Sequence, residues 1–67
     1  MLCDEVRALL LSDPHHQEGL TVRRIAQLLG LDTHPGRTRV QNALLGPHMP
    51  DAYISRWVGE VAVWRCV

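Results

Sequence analysis

Between Arg23 and Asn42 the chain gathers side chains suited to gripping and reading a polyanion. Arg23, Arg24, Arg37 and Arg39 lie there, with Thr38, Gln41 and Asn42 among them. A guanidinium is a planar fork of donors that matches a phosphate or a guanine edge. The carboxamides of Gln41 and Asn42 can pair bidentately with adenine, and the Thr38 hydroxyl can reach a base or a phosphate. Asp32 is the single acid in residues 21–45, so that stretch carries +3. Residues 1–20 set Arg7 against Asp4, Glu5, Asp13 and Glu18, leaving −3. In residues 46–67, Arg56 and Arg65 balance Asp51 and Glu60. The 67-residue chain is neutral in total but polarised along its length. Binding to nucleic acid needs a basic face, not a basic average. The same polar residues also suit an ordinary solvated helix surface.

Other chemistry has less support. His15, His16, His34 and His48, with Cys3 and Cys66, are the available soft ligands. None has zinc-finger spacing, and adjacent His15 and His16 cannot point the same way from a helix. No metal or cofactor is expected. Nor do these few residues build a nucleophile–base–acid set, so no catalytic residues are assigned and the expectation is a non-enzyme. Cys66 reads as a small core residue.

These side chains need a scaffold that a short chain can fold. A domain of this size buries only roughly 60% of the surface its unfolded form exposes. Leu2, Val6, Leu9 and Leu10 recur at helical spacing, and Pro14 bars its preceding residue from helix, which predicts a first helix over 3–12. "HHQEG" reads as a polar connection and Leu20 as a short extended residue. Thr21 predicts an N-cap for a second helix over 22–29, with Val22, Ile25, Ala26 and Leu29 inward. Gly30 suits the left-handed residue that ends a helix, with Leu31 as the accompanying apolar contact. Thr33 or His34 can cap a third helix over 35–45, with Pro35 in its first turn. Helical winding places Val40, Ala43 and Leu44 on one face and Thr38, Gln41 and Asn42 opposite, flanked by Arg37 and Arg39.

"GPHMPD" breaks the third helix. "AYISRWVGEVAVWRCV" alternates and is rich in β-branched and aromatic residues, which predicts a hairpin of strands 52–58 and 61–67 turning at Gly59-Glu60. In that register Tyr53, Ser55, Trp57, Ala62, Trp64 and Cys66 share a face expected to cover the helices. Ile54, Arg56, Val63 and Arg65 share the outward face. The expected architecture is a single α+β domain over 1–67. A slip of one residue would exchange the two faces.

Helix, extended link, helix, turn, helix, hairpin resembles the winged helix-turn-helix family over nearly the whole chain. The local signature is "IAQLLGLD": Ile25 and Ala26 in the second helix, Gly30 at the turn, and Val40 as the inward residue of the third. Val40 follows Gly30 by ten positions, where the family pattern has six. About four extra residues, "THPG", therefore lengthen the turn or the helix. A second likeness, "MPDAYISRW" followed by "AVWRCV", looks like a phrase of small uncharacterised phage or prophage proteins.

The winged-helix resemblance implies a sequence-specific binder of double-stranded DNA, a small transcription regulator with its third helix in the major groove. Arg37, Thr38, Arg39, Gln41 and Asn42 would face bases. Arg23 and Arg24 would touch phosphates, and Arg56 and Arg65 would reach phosphate or minor groove from the hairpin. The alternative is a protein-interaction module, possible because winged helices also dock proteins, with Ile54 and Val63 on its surface. A homodimer would double the few contacts of a monomer. No signal-peptide pattern opens the chain, and no apolar run reaches the ~20 residues that span a bilayer. A cytoplasmic setting without membrane partner or small-molecule ligand is the expectation.

Overall fold

Asp4 and Glu5 occupy the first turn of α1 (Leu2–Leu11), where the exposed amides favour negative charge. Val6 and Leu10, one turn apart, are its buried residues. The computed structural model, covering Met1–Val67, continues with α2 (His15–Glu18), α3 (Val22–Leu28) and α4 (His34–Leu45). A hairpin of β1 (Ala52–Val58) and β2 (Val61–Cys66) follows. The chain is thus a small α+β fold of four helices and a C-terminal antiparallel pair. The polar connection read at "HHQEG" is the short helix α2, whose four residues are too few to show a periodicity.

Both expected caps form. The amide of Arg24 donates to Thr21 Oγ1 at 3.1 Å, and that of Gly36 donates to Thr33 Oγ1 at 3.1 Å. Helix α4 begins one residue earlier than expected, so Pro35 is its second residue. Gly30 takes a positive φ of 72°. There the amides of Gly30 and Leu31 donate to the carbonyls of Gln27 and Ala26 at 3.2 and 2.7 Å, closing the end of α3. Gly36 is buried because α4 enters against the Leu31 backbone, and a Cβ at Gly36 would collide with the Leu31 carbonyl.

Val6, Leu10, Leu20, Ile25, Ala26, Val40, Leu44, Met49, Trp64 and Cys66 make one buried cluster. The first helix, α3, α4 and one face of β2 enclose it. Leu20 forms an isolated antiparallel bridge to Trp64 through backbone bonds of 2.9 and 2.7 Å, so a one-residue third strand lies beside β2.

The turn register is as expected: Val58 opposes Val61 and Trp57 opposes Ala62. Beyond Arg56, opposite Val63, the register shifts and Ile54 opposes Trp64. The irregularity sits at Ser55, whose hydroxyl donates to the Val63 carbonyl at 3.3 Å. An extra residue on one strand exchanges the faces of everything beyond it. Ile54 therefore joins Trp57, Ala62, Trp64 and Cys66 on the helix side. Tyr53 joins Arg56, Val63 and Arg65 on the other, which corrects the faces expected for Tyr53 and Ile54. A second correction concerns burial. Trp64 is 6% exposed and Trp57 is 62% exposed, so the aromatic face covers the helices only near its base. A third concerns Val63, expected outward. It is buried, because α2 and Gly19 fold over that face of the hairpin and bring Gly19 against the Val63 side chain.

Candidate nucleic-acid interface

The exposed side of α4 and the helix-facing side of the hairpin diverge around a cleft of about 650 Å³. Arg23, from the first turn of α3, and Arg37, Thr38 and Gln41 from α4 line one wall. Ile54, Trp57, Ala62 and Trp64 line the other, with Leu45 at one end and Glu60 at the hairpin turn. The spacing of α4 explains this grouping: His34, Thr38, Gln41 and Leu45 fall on one stripe, about a third of a turn round from buried Val40 and Leu44. The Thr38 hydroxyl donates back to the His34 carbonyl at 3.0 Å and still has lone pairs to offer.

A second cleft, of about 570 Å³, opens on the other face of the hairpin. Arg24 and Arg56 line it, with His15, Glu18, Val58 and Val61. Arg23 and Arg24 are neighbours in α3, so they lead from one cleft to the other. Arg39 and Asn42 are exposed on α4 but line neither cleft.

The nine residues expected in one basic site are therefore divided. Arg23, Arg37, Thr38 and Gln41 come together, Arg24 and Arg56 form a second group, and Arg39 and Asn42 stand on the adjoining flank of α4. Arg56 and Arg65, the outward pair, each give one donor to α2. Arg56 Nη1 donates to the Glu18 carbonyl at 2.8 Å, and Arg65 Nε donates to the His16 carbonyl at 3.1 Å. Both guanidiniums fasten the C-terminal end of α2, whose unpaired carbonyls attract cations. Arg65 is a positioning residue for α2.

Asp32 changes the charge of the main cleft. Arg37 Nη1 lies 2.8 Å from its Oδ1, and Gln27 Nε2 donates to its Oδ2 at 3.5 Å. The Arg37 hydrogen bond holds the Asp32 carboxyl below its ordinary range, with a smaller contribution from Arg23. Arg37 thus arrives already paired, whereas Arg23 and Arg39 form no ion pair.

A third cluster, away from both clefts, went unread in the sequence. Arg7 of α1 spans to Asp51, with Nε to Oδ2 and Nη2 to Oδ1 both 3.2 Å, and Nη2 also donates to the His48 carbonyl at 2.8 Å. Cys66 Sγ donates to Asp51 Oδ2 at 3.0 Å. Burial first, and then the Asp51 bond, push the Cys66 thiol up to about 11. The Cys66 and Arg7 bonds hold Asp51 below the usual carboxylate range. A thiol with a raised pKa is a poor nucleophile, so this cluster ties α1 to the base of the hairpin. Elsewhere no three His, Cys, Asp or Glu side chains stand close enough to hold a metal ion. No helix is long and apolar enough to cross a membrane.

Compared with known proteins, the chain matches no family model, no curated sequence and no solved structure. What the site can do is therefore argued from its geometry.

Proposed function

We propose that this chain is a small sequence-specific DNA-binding protein of winged helix-turn-helix type, with α4 entering the major groove of double-stranded DNA. One observation carries the reading: Arg23, Arg37, Thr38 and Gln41, donors from two helices, converge along the exposed side of α4. The winged-helix part is supported by the element order and by the Leu20–Trp64 pairing, which adds an extended residue beside the hairpin. In this reading α2 is an addition between the first helix and that extended residue.

Gln41 and Asn42 offer carboxamides to adenine edges, and Arg39 offers a free fork to guanine or phosphate. Arg23 and Arg24 sit where the backbone of a duplex held by α4 would pass. Arg37 keeps Asp32 or exchanges it for phosphate. Arg56 and Arg65 contribute only the donors that α2 leaves them. The hairpin turn carries Glu60 and no cation, so grip comes from the helices. A protein of this kind regulates transcription by occupying its site. Cytoplasmic action and a phage or prophage origin belong to the same proposal.

Fluorescence anisotropy with genomic fragments flanking the gene tests it. Arg23→Ala and Arg39→Ala should each weaken binding and flatten the salt slope by about one unit per lost phosphate contact. Absence of binding at about 50 mM salt, where phosphate contacts are strong, or an unchanged double variant, refutes the proposal.

A second reading, a protein-docking module, is favoured by one feature: the same cleft has an apolar wall with Trp57 largely exposed. An exposed tryptophan in a concave setting is a common anchor for a partner protein. Capture of a defined host protein after nuclease treatment, lost in Trp57→Ala, would select this reading over the first.

A further inference from the structure

We propose that the cleft between α4 and the hairpin takes an unpaired nucleotide of a single strand, with its base stacked on Trp57 and its phosphate on Arg23. This deepens the nucleic-acid reading of the same site and rests on it, but it does not need α4 to enter a groove.

The two walls of the cleft differ in chemistry. On the hairpin side Trp57 is 62% exposed, and its cross-strand partner is Ala62. A methyl group is too short to cover an indole, so the ring stands beside open space. On the helix side are Arg23, Thr38 and Gln41. The Arg23 guanidinium forms no ion pair, whereas Arg37 is paired with Asp32. Glu60 is the one acid lining the cleft, and it pairs with neither arginine. An occupant must therefore offer a flat apolar face to one wall and acceptors to the other. A nucleotide has both, and stacking on an aromatic ring beside a cation is how unpaired strands are held. An apolar peptide side chain would satisfy Trp57 and leave the donors of Arg23 and Gln41 facing it without partners.

Size and pairing state narrow the ligand further. The cleft of about 650 Å³ belongs to a molecule of 27 × 26 × 22 Å, so it admits one strand and no duplex. In a duplex each base already has both faces covered by its neighbours, and only an unpaired base has a face to give Trp57. The second cleft makes the contrast. Arg24 and Arg56 line it, but its apolar lining is leucine and valine, with no ring.

An oligothymidylate of about ten residues, a length that small strand-binding folds cover, is the probe, at about 50 mM salt, where phosphate contacts are strong. Stacking should quench the emission of Trp57, while Trp64, 6% exposed, does not respond. By anisotropy of a labelled strand, Trp57→Ala should weaken binding at least about fivefold, and Trp57→Phe much less, because a phenyl ring still stacks. Both variants change an exposed side chain, and circular dichroism checks that they fold. Arg23→Ala should flatten the salt slope by about 0.7 unit, the value for one phosphate contact on a single strand. An abasic strand of equal length keeps the phosphates and should bind at least about fivefold more weakly. Thymidine monophosphate should bind more weakly than the oligothymidylate. Emission unmoved by the strand, an abasic strand bound as tightly, or Trp57→Ala as tight as wild type overturns the inference. Monophosphate bound as tightly as the strand overturns it as well, because the occupant is then a free nucleotide. Duplex binding that depends on Arg39 and leaves Trp57 unresponsive to strands sinks this inference alone. Strand binding with no affinity for duplex sinks only the proposed function.

Discussion

Trp57 and Trp64 lie on the same face of one hairpin, yet one is 62% exposed and the other 6%. Residue type and face are equal, so the difference comes from position along the ribbon. Leu20 and the helices reach the base of the hairpin, where Trp64 joins the core, and stop short of its tip. The base therefore holds the fold and the tip is left for contact. Trp64→Ala breaks the comparison most severely. Truncating a buried tryptophan costs about 3–5 kcal/mol. A domain this small has about 3–5 kcal/mol in all. The variant should be largely unfolded at 25 °C, read as lost near-ultraviolet circular dichroism. A cooperative melt close to wild type would show that the base is not the anchor.

Cys66, two residues from Trp64, gives the next effect. Its folded pKa of about 11 stands above the ordinary 9.0. Below pH 9 both states keep the proton and nothing changes. Between pH 9 and 11 the unfolded chain ionises first, so stability falls as pH rises, by up to about 2–3 kcal/mol at ~1.4 kcal/mol per unit. Urea unfolding across that window should show the decline, and Cys66→Ala should remove this part of it. Groups common to both proteins cancel in the difference. An equal decline in Cys66→Ala would mean that the thiol is not held by the core.

At the opposite extreme of pH the partner carboxylate acts. Asp51 titrates below its ordinary 3.8 because it accepts from Cys66 and Arg7. Its contribution is complete above pH 3.8 and drains away as pH falls through the lower folded value. Arg7 and Asp51 each remain about a third exposed (32% and 33%), so water screens the pair and the effect is the smaller one. Asp51→Asn should flatten the acid limb of a stability–pH curve while leaving the alkaline limb sloping. A wild-type acid limb in Asp51→Asn would detach this carboxylate from the anchoring of the base.

How much of this the sequence made legible depends on range. Thr21, Gly30, Thr33 and the Gly59-Glu60 turn act within a few residues, and local chemistry located each of them. Val40 and Leu44 followed from helical winding alone. The bulge at Ser55 did not, because an alternating pattern reads the same until one extra residue exchanges its faces. The engagement of Arg56 and Arg65 with α2 was equally invisible, since their acceptors lie 38 and 49 positions away. Residue types suggested an outward basic pair, and only the fold supplied the carbonyls. Arg7, Asp51 and Cys66 come from three separate segments, and nothing in their spacing marks them. Helical winding placed Thr38 and Gln41 on one face of α4, but that Arg23 joins them while Arg39 and Asn42 do not depends on how α3 and the hairpin pack, which no local pattern records.

The smallest effect on stability belongs to the other tryptophan and sharpens the contrast. Trp57→Ala removes a side chain beyond the reach of the helices and should shift stability by no more than about 0.5 kcal/mol, as exposed substitutions do. The chain has two tryptophans, so fluorescence can separate them. Acrylamide should quench the wild-type protein in two components, one accessible and one shielded. Trp57→Phe should leave only the shielded, blue-shifted emission of Trp64. If quenching in the wild-type protein is uniformly shielded, the tip is covered in solution.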